Sequence, residues 1–333
     1  MKPFIAMFKA RTMEFLRDRG NLAWSLMFPL VMVFGFAFAF NGPSALFKVG
    51  VLGPGDTSLA FLKTDQVQFL AFDGATKAEA VLEKLRHHSL DAVIDTASKT
   101  YWVNKESKNA SVVRLLLTKQ DGGAGYAEKQ VTGQAIRYVD QLVPGVIGMN
   151  MMFGCLFGIG FVIVRYRKNG VLKRLKATPV SALQFVLAQG VSRFVIVFVT
   201  SIFVYLGTDL FLHFMMKGSY LDLVLVMSLG ILSMIALGLV FAARFKSEEL
   251  ANGIINLVTW PMMLFSGIFF SLEGLPDVLQ WVGQAIPITH FLNAARAIML
   301  EGAGLAQVAP DLAFLALFSA ACFGLAAWLF KWE

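Results

Sequence analysis

Long apolar runs separated by short charged segments dominate the chain. A membrane-spanning helix needs about 20 mostly apolar residues, and five charge-free windows are of that kind. A sixth run contains Arg193 and Asp209, which would lie about 24 Å apart along a helix, one near each edge of a bilayer. The first run is too long for a secretory signal, so we interpret it as a retained span. The pattern predicts six spans, at residues 21–40, 141–164, 183–212, 223–243, 250–272 and 312–330.

An uncharged stretch at 278–295 is not counted as a seventh span. It carries amides and His290, which are expensive in lipid, and Pro276 and Pro287 interrupt the region. Irregular backbone is tolerated at membrane depth where protein buries it. We therefore predict a re-entrant helical hairpin at 273–301, ahead of the last span.

The distribution of Lys and Arg predicts the orientation. Six spans place fourteen of these residues in short segments on one side, whereas the short segments opposite hold only Lys217 and Arg296. Short loops rich in Lys and Arg remain in the cytoplasm. The N-terminal segment 1–20 and both termini are therefore predicted to be cytoplasmic, in a bacterial inner membrane.

The segment 41–140, between the first two predicted spans, has the composition of a soluble domain, with 12 basic and 11 acidic residues. Alternating apolar positions predict strands, and a capping box at Thr76 opens a helix. A further helix is predicted at 125–140, running into the second span. The sequence thus predicts a small extracytoplasmic α/β domain, with strands at 47–52, 67–72, 91–95 and 100–103.

Composition narrows the function classes. The chain is 57% hydrophobic and only 15% charged, whereas soluble domains are about 25% charged, so a soluble enzyme and a disordered protein are both excluded. The net charge of +7 follows from the cytoplasmic segments and does not call for nucleic acid. Cys155 and Cys322 lie in apolar runs, which argues against a disulfide or a metal site. We find no nucleotide-binding motif and predict a chain that is not an enzyme and binds no cofactor or metal.

Two cytoplasmic segments are amphipathic. In the N-terminal helix an apolar face combines Phe4, Phe8, Arg11 and Phe15. In 165–182 an apolar stripe is surrounded by basic residues and ends at a proline. Such a segment either lies on anionic lipid or docks a cytoplasmic partner. It reads Gly170-Val171-Leu172-Lys173-Arg174-Leu175-Lys176-Ala177-Thr178-Pro179-Val180-Ser181.

This segment resembles the coupling helix of the permease subunits of ABC-2 type transporters, roughly G-T-L-(K/E)-R-L-x-x-T-P-(L/V)-S. A second similarity is the S-G-x-F-F pattern at 266–270, where Ser271 stands in place of the usual proline. A third is the P-L-T-like start at Pro287, followed by Arg296. The order of elements also resembles that family, in its subgroup with a large domain after the first span.

The resemblance implies an α-helical membrane subunit of an exporter, with six spans, an interfacial N-terminal helix and a re-entrant hairpin. It implies two cytoplasmic ABC ATPase subunits that carry the ATP and Mg, and a second copy of the chain or a related permease. Membrane lipid and a periplasmic adaptor protein complete the expected partners. The docking residues would be Gly170, Val171, Leu172, Lys173, Arg174, Leu175, Lys176, Thr178 and Pro179.

Polar and aromatic residues inside predicted spans are candidates for a translocation path. They are Asn150, Asn252, Asn256, Phe265 and Phe269. The alternative for the asparagines is hydrogen bonding between helices. In the predicted hairpin, Gly267, Pro276, Pro287, His290 and Arg296 are interpreted as structural residues, with His290 and Arg296 as a polar cap and not as a ligand site.

Two other classes of function remain open. One is a non-transporting membrane scaffold or receptor with the outer domain as its sensor. The other is a carrier that needs no ATPase, although carriers usually show internal repeats and ionisable groups at the midplane. Of the three, an exporter of an amphiphilic or hydrophobic solute fits the pattern best.

Overall fold

The structure, a computed structural model, divides the chain into two compact units. A membrane unit contains residues 1–40 and 138–333, and an α/β unit contains 41–137. The structure describes residues 2–39, 47–52, 67–72, 78–86, 90–105, 107, 126–132, 138–245, 247–269 and 277–329.

The membrane unit is built from helices. In chain order their bounds are α1 Lys2–Arg17, α2 Arg19–Ala39, α4 Tyr138–Cys155, α5 Val162–Lys168, α6 Val171–Lys176, α7 Ala182–Leu212, α8 Tyr220–Arg244, α9 Glu248–Phe265, α10 Asp277–Gln284, α11 Pro287–Arg296 and α12 Ala309–Leu329. Two π-helical segments, Leu156–Phe161 and Ala297–Glu301, interrupt this series. The first joins α4 to α5 in one long helix.

Within the described residues, five helices are long and apolar enough to cross a membrane, so the protein is a multi-pass helical membrane protein. They correspond to the predicted spans except for 250–272. There, α9 begins at Glu248, carries two asparagines and already ends at Phe265. The chain then turns at Ser266 and Gly267, where Gly267 has a positive φ of 82°, so the apolar run from 266 onwards does not continue the helix.

The stretch after α9 contains two short helices, α10 and α11. Pro287 is the first residue of α11, a position where its missing N–H and fixed φ suit a helix start. Pro276, the other predicted break, lies outside the described residues. Within the membrane unit α11 packs against α4, α8 and α12, and the long pair α8 and α12 pack against each other.

The α/β unit contains the strands β1 Phe47–Leu52, β2 Val67–Phe72, β3 Ala92–Asp95, β4 Thr100–Asn104 and β5 Ala127–Val131, with helix α3 Ala78–Arg86. The sheet order is β2-β1-β3-β4-β5, antiparallel only between β3 and β4. Leu52 and Val93 from the sheet form a core with Val81 and Leu85 of α3.

One predicted element is wrong. The sequence predicted a helix over 125–140, but Ala127–Val131 is the edge strand β5, and the next helix begins only at Tyr138. Side chains along β5 are exposed or half-buried, and an edge strand needs little apolar patterning because only one neighbour pairs with it. Pairing with β4 decides its conformation, and that signal is not local.

Candidate functional site

The docking segment predicted at 170–179 forms a short, sharply bounded helix. Gly170 precedes α6 with φ at 69°, a conformation that glycine adopts without strain. At the other end the Thr178 hydroxyl donates to the Leu175 carbonyl at 2.6 Å. Ser181 then caps α7 in a capping box with Gln184. These turns fix the direction of α6 relative to α5 before it and α7 after it.

The two faces of α6 differ completely. Leu172 is 0% exposed, while Val171 and Leu175 are half-buried. Leu172 therefore lies on the side of α6 that faces its own chain, and the docking role predicted for the segment stays a prediction. Leu172 anchors α6, which packs against α5. The exposed residues of the segment are Lys173, Arg174, Lys176, Thr178 and Pro179.

Arg167 fixes the base of this segment. Its guanidinium donates to the carbonyls of Ala242 at 3.1 Å and of Phe245, around the end of α8. Cations are favoured at a helix C-terminus, where carbonyls lack intrahelical partners. Lys168 lies 3.5 Å from Glu249 at the start of α9. Sequence reasoning counted Arg167 only as a topology signal, and no local motif marks it as a cap.

The N-terminal helix α1 presents the predicted face to the protein. Phe15 and Arg11 are buried, and Phe4 and Phe8 are half-buried. The Thr12 hydroxyl lies 2.9 Å from that of Ser192, and α1 packs along α7. A hydrogen bond from the Tyr166 hydroxyl to Glu14 links α1 to α5. These contacts bring α1 to the end of the membrane unit that carries α5 and α6, here called the basic end.

A pair of arginines lies beneath α1. Arg11 donates to the Gly158 carbonyl at 3.0 Å and to Glu14 at 2.9 Å. Arg193 donates from Nε to the Gly154 carbonyl, and its guanidinium carbon lies 5.5 Å from the ring centre of Phe15. A π-helical stretch disrupts the normal pairing of carbonyls, and these guanidiniums act as its donors.

The candidate path residues do not form one cluster of hydrogen bonds. Asn150 donates to Ser201 of α7 at 3.5 Å, which is the interhelical bonding considered as the alternative to a path role. Asn256 donates to the carbonyl and side chain of Asn252 at 2.8 and 3.1 Å, within α9. Phe265 is half-buried at the end of α9, and Phe269 contacts Phe36 of α2 with ring centres 5.5 Å apart.

At the opposite end of the membrane unit, Arg296 and His290 hold separate segments together. Arg296 donates to the carbonyl of Gly267 at 2.7 Å and approaches that of Gln141 at 3.3 Å. The two ring nitrogens of His290 lie 2.6 Å from Asp311 and 2.8 Å from the Gln284 carbonyl. The imidazole ring of His290 also stacks on the Phe314 ring, with the two ring centres 3.8 Å apart.

The protonation of His290 follows from these contacts. Burial lowers the pKa of His290, but the hydrogen bonds to Asp311 and to the Gln284 carbonyl outweigh it and raise the pKa above the usual value. A carboxylate and a carbonyl only accept hydrogen bonds, so both ring nitrogens donate when the imidazole is protonated. The contacts are those of a polar cap joining α10, α11 and α12.

Among the described residues, no group of three His, Cys, Asp or Glu side chains is placed to hold a metal ion. At the basic end, the exposed basic helix α6 stands on the buried Leu172, and Arg167 of the neighbouring α5 bonds to the end of α8.

Comparison with known proteins shows that several permeases are similar to this chain. The chain is similar to the inner membrane transport permease YhhJ of Escherichia coli, 25% identical over 173 residues, which cover 52% of this chain and 46% of YhhJ. It is 19% identical over 327 residues to the probable multidrug ABC transporter permease YbhS of Escherichia coli, covering 87% and 86% of the two chains. The linearmycin resistance permease protein LnrN of Bacillus subtilis is 25% identical over 178 residues, covering 53% and 46%.

The chain spans about half the length of several of these curated relatives. The family match is broader. The sequence profile described as "ABC-2 family transporter protein" matches residues 19–328. That range begins at α2 and includes every later described helix. The chain therefore belongs to the ABC-2 family of transporter proteins.

Proposed function

We propose that this chain is the membrane-spanning permease subunit of an ATP-driven ABC exporter, with ATP and Mg on a separate ATPase. The observation that carries the proposal is the two-faced helix α6, whose basic residues Lys173, Arg174 and Lys176 are exposed while Leu172 is buried beneath them. A docking helix needs this division, because the partner must grip one face while the other transmits the movement.

The mechanism follows the contacts of α6. Closure of the ATPase subunits displaces α6, and α5 moves with it. Arg167 passes this displacement to the end of α8, and the bond from Tyr166 to Glu14 passes it to α1. Since α5 is continuous with the π segment and α4, the second span tilts as a unit. Access to the path then changes from one side of the membrane to the other.

In this proposal the chain has six spans with α9 as the fifth, cytoplasmic termini, an outer α/β unit and a re-entrant α10–α11 pair. Two permeases pair around the path. The exposed face of α9 supports a role in pairing or in the path, because it mixes Leu257 and Trp260 with Asn252. A face that meets only lipid tails has no use for an exposed amide.

The proposed cargo is an amphiphilic or hydrophobic solute. Two relatives carry names that refer to multidrug transport and to linearmycin resistance. The aromatic residues around the end of α9, Phe265 and Phe269, support an apolar path, together with Phe36 of α2. A periplasmic adaptor would meet the outer unit.

The test uses the basic face of α6. We expect Arg174→Glu with Lys173→Glu to abolish co-purification of the ATPase and solute export, while membrane insertion and the melting temperature of the chain are unchanged. The matched control is the double charge reversal Lys99→Glu with Lys105→Glu, at two exposed basic residues of the other unit. Normal ATPase binding by the α6 variant would contradict the proposal.

Two deletion strains separate the other two classes of function, one lacking this chain and one lacking the ATPase. A scaffold or receptor would leave solute export unaffected in a strain lacking the chain. A carrier would continue to transport after the ATPase gene is deleted. The proposal requires that export be lost in both strains.

A further inference from the structure

We propose that Arg193 and Arg11 form a binding site for the phosphate group of an anionic phospholipid in the leaflet next to the basic end. The site lies between α1, α7 and the π segment Leu156–Phe161. It is separate from the basic face of α6 and does not depend on an ATPase.

The first support is the way Arg193 is held. The side chain is 93% buried, its Nε is fixed by the Gly154 carbonyl, and the Phe15 ring lies beside the guanidinium. Gly158 supplies the remaining space, because a Cβ at that position would collide with the guanidinium. The arginine is thus preorganised, which is how protein sites gain affinity for anions.

The second support is the unfilled edge of this guanidinium. Within the described residues, the terminal Nη1 and Nη2 amines of Arg193 donate to no protein acceptor, although the residue is 93% buried. A guanidinium offers a planar fork that matches phosphate oxygens. The Nε side is already used, so the free fork is available to a ligand.

The third support is the charge balance. Arg11 and Arg193 both donate to the same turn of backbone, at Gly158 and Gly154. The carboxylate bonded to Arg11 is Glu14, which is 44% exposed and also accepts from Tyr166. Burying a net positive charge is costly unless a counter-charge joins it. A bound phosphate would supply that charge.

The surroundings favour lipid as the source of the phosphate. The face of α1 that points away from the protein exposes Ile5, Met13 and Leu16 together with Lys9 and Arg17. A helix with this combination lies along a leaflet surface, its apolar residues among acyl chains and its basic residues near head groups. The arginine pair is therefore placed beside head groups, while Thr12 and Ser192 add hydroxyls next to it.

The test is a lipid titration of the full chain in a neutral detergent, read by native mass spectrometry. Phosphatidylglycerol, phosphatidylcholine and inorganic phosphate are added in separate arms. We expect phosphatidylglycerol to bind at least about tenfold more tightly than the other two. Equal binding of phosphatidylcholine, or saturation by inorganic phosphate at the same concentration, would overturn the proposal.

Variants locate the site. Arg193→Gln should weaken phosphatidylglycerol binding about tenfold, and Arg193→Lys should restore only part of it because lysine lacks the planar fork. The control is Lys9→Gln, which removes a charge from the exposed face of α1. If it weakens binding as much as Arg193→Gln, the attraction is general and the site is wrong. The wild-type titration decides the lipid preference even if an Arg193 variant fails to fold.

Discussion

At both ends of the membrane unit an arginine from one helix donates to backbone carbonyls of another segment, yet the two ends differ in charge and in rigidity. At the opposite end, Arg296 holds the turn after α9, and nearby His290 faces the carboxylate of Asp311. At the basic end, Arg11 is bonded to the carboxylate of Glu14, whereas Arg193 is bonded to the Gly154 carbonyl. The opposite end thus pairs a histidine with a carboxylate, whereas at the basic end only one of the two arginines is bonded to a carboxylate.

The surroundings of one glycine at each end indicate which end can adjust. Next to Arg296, the backbone of α4 at Gly145 approaches the backbone carbonyl of Ile268, and neither can move without its segment. At the basic end, Gly158 is approached instead by the guanidinium at the far end of the Arg193 side chain, which can yield more easily than backbone although its Nε is bonded to Gly154. We therefore interpret the opposite end as a fixed pivot and the basic end as the part that responds to partners.

The largest expected effect is at the pivot. Gly145→Ala places a methyl group against the Ile268 carbonyl and should lower the free energy of unfolding by about 3 kcal/mol. Thermal unfolding of the purified chain in detergent measures it. Gly253→Ala is the control, since a Cβ there meets nothing within 4 Å. Equal stability of the two variants would remove the basis for a fixed pivot.

A smaller loss of folding stability is expected at Gly158, the corresponding glycine of the basic end. Gly158→Ala should cost about 1–2 kcal/mol, because Arg193 can withdraw at the expense of its bond to Gly154. Combining it with Arg193→Gln should cost less than the sum of the two single changes. The same unfolding assay applies. A loss greater than that of Gly145→Ala would reverse the comparison between the ends.

The third effect depends on pH. The pKa of His290 is raised in the folded protein. Protonated His290 therefore contributes its full stabilisation at a pH below its pKa in the unfolded chain, and this stabilisation is lost as the pH rises through its pKa in the folded protein. We expect the wild-type melting temperature to fall as the pH rises above the pKa of an unfolded histidine, about 6.5, and through the higher pKa of the folded protein. His290→Gln should flatten that dependence. An unchanged pH profile in His290→Gln would show that the imidazolium does not hold this end together.

The smallest effect concerns the hydroxyl pair under α1. Thr12→Val and Ser192→Ala should each lower stability by about 0.5–1 kcal/mol, as expected for one neutral hydrogen bond. The double variant should cost little more than either alone. Unfolding of the four proteins gives the coupling energy directly. Full additivity would mean that the 2.9 Å contact does not join α1 to α7.

The pattern of apolar residues and the positions of the charges were enough to predict most of the fold. A charge-free run of about 20 residues has few alternatives to a spanning helix, so α2, the continuous α4–α5 helix, α8 and α12 were predictable, and α7 was predictable despite Arg193 and Asp209. The run 250–272 was extended too far because its apolar residues continue past Phe265. The helix ends there since Gly267 takes a left-handed conformation and its carbonyl is held by Arg296. That contact joins residues 29 positions apart and leaves no local signature.

The candidate site was only partly predictable. The amphipathic pattern of α6 was visible, but the pattern does not say whether an apolar residue faces its own chain or a partner, and Leu172 proved to face its own chain. Arg193 was interpreted as a residue near a membrane edge, and nothing in the sequence joined it to Gly154 or Gly158. Their juxtaposition arises because α4 and α7 pack together, which neither segment reveals alone.

The π segment has a consequence for how the second span must be mapped. A wide turn holds one residue more than an α-helical turn, so it shifts the residues that follow by about 100° around the axis. The stripe of α4 that meets α8 and α11 therefore cannot be continued at intervals of three and four into α5. A scan for cargo contacts along this helix should use two separate helical wheels, one ending at Cys155 and the other starting at Val162.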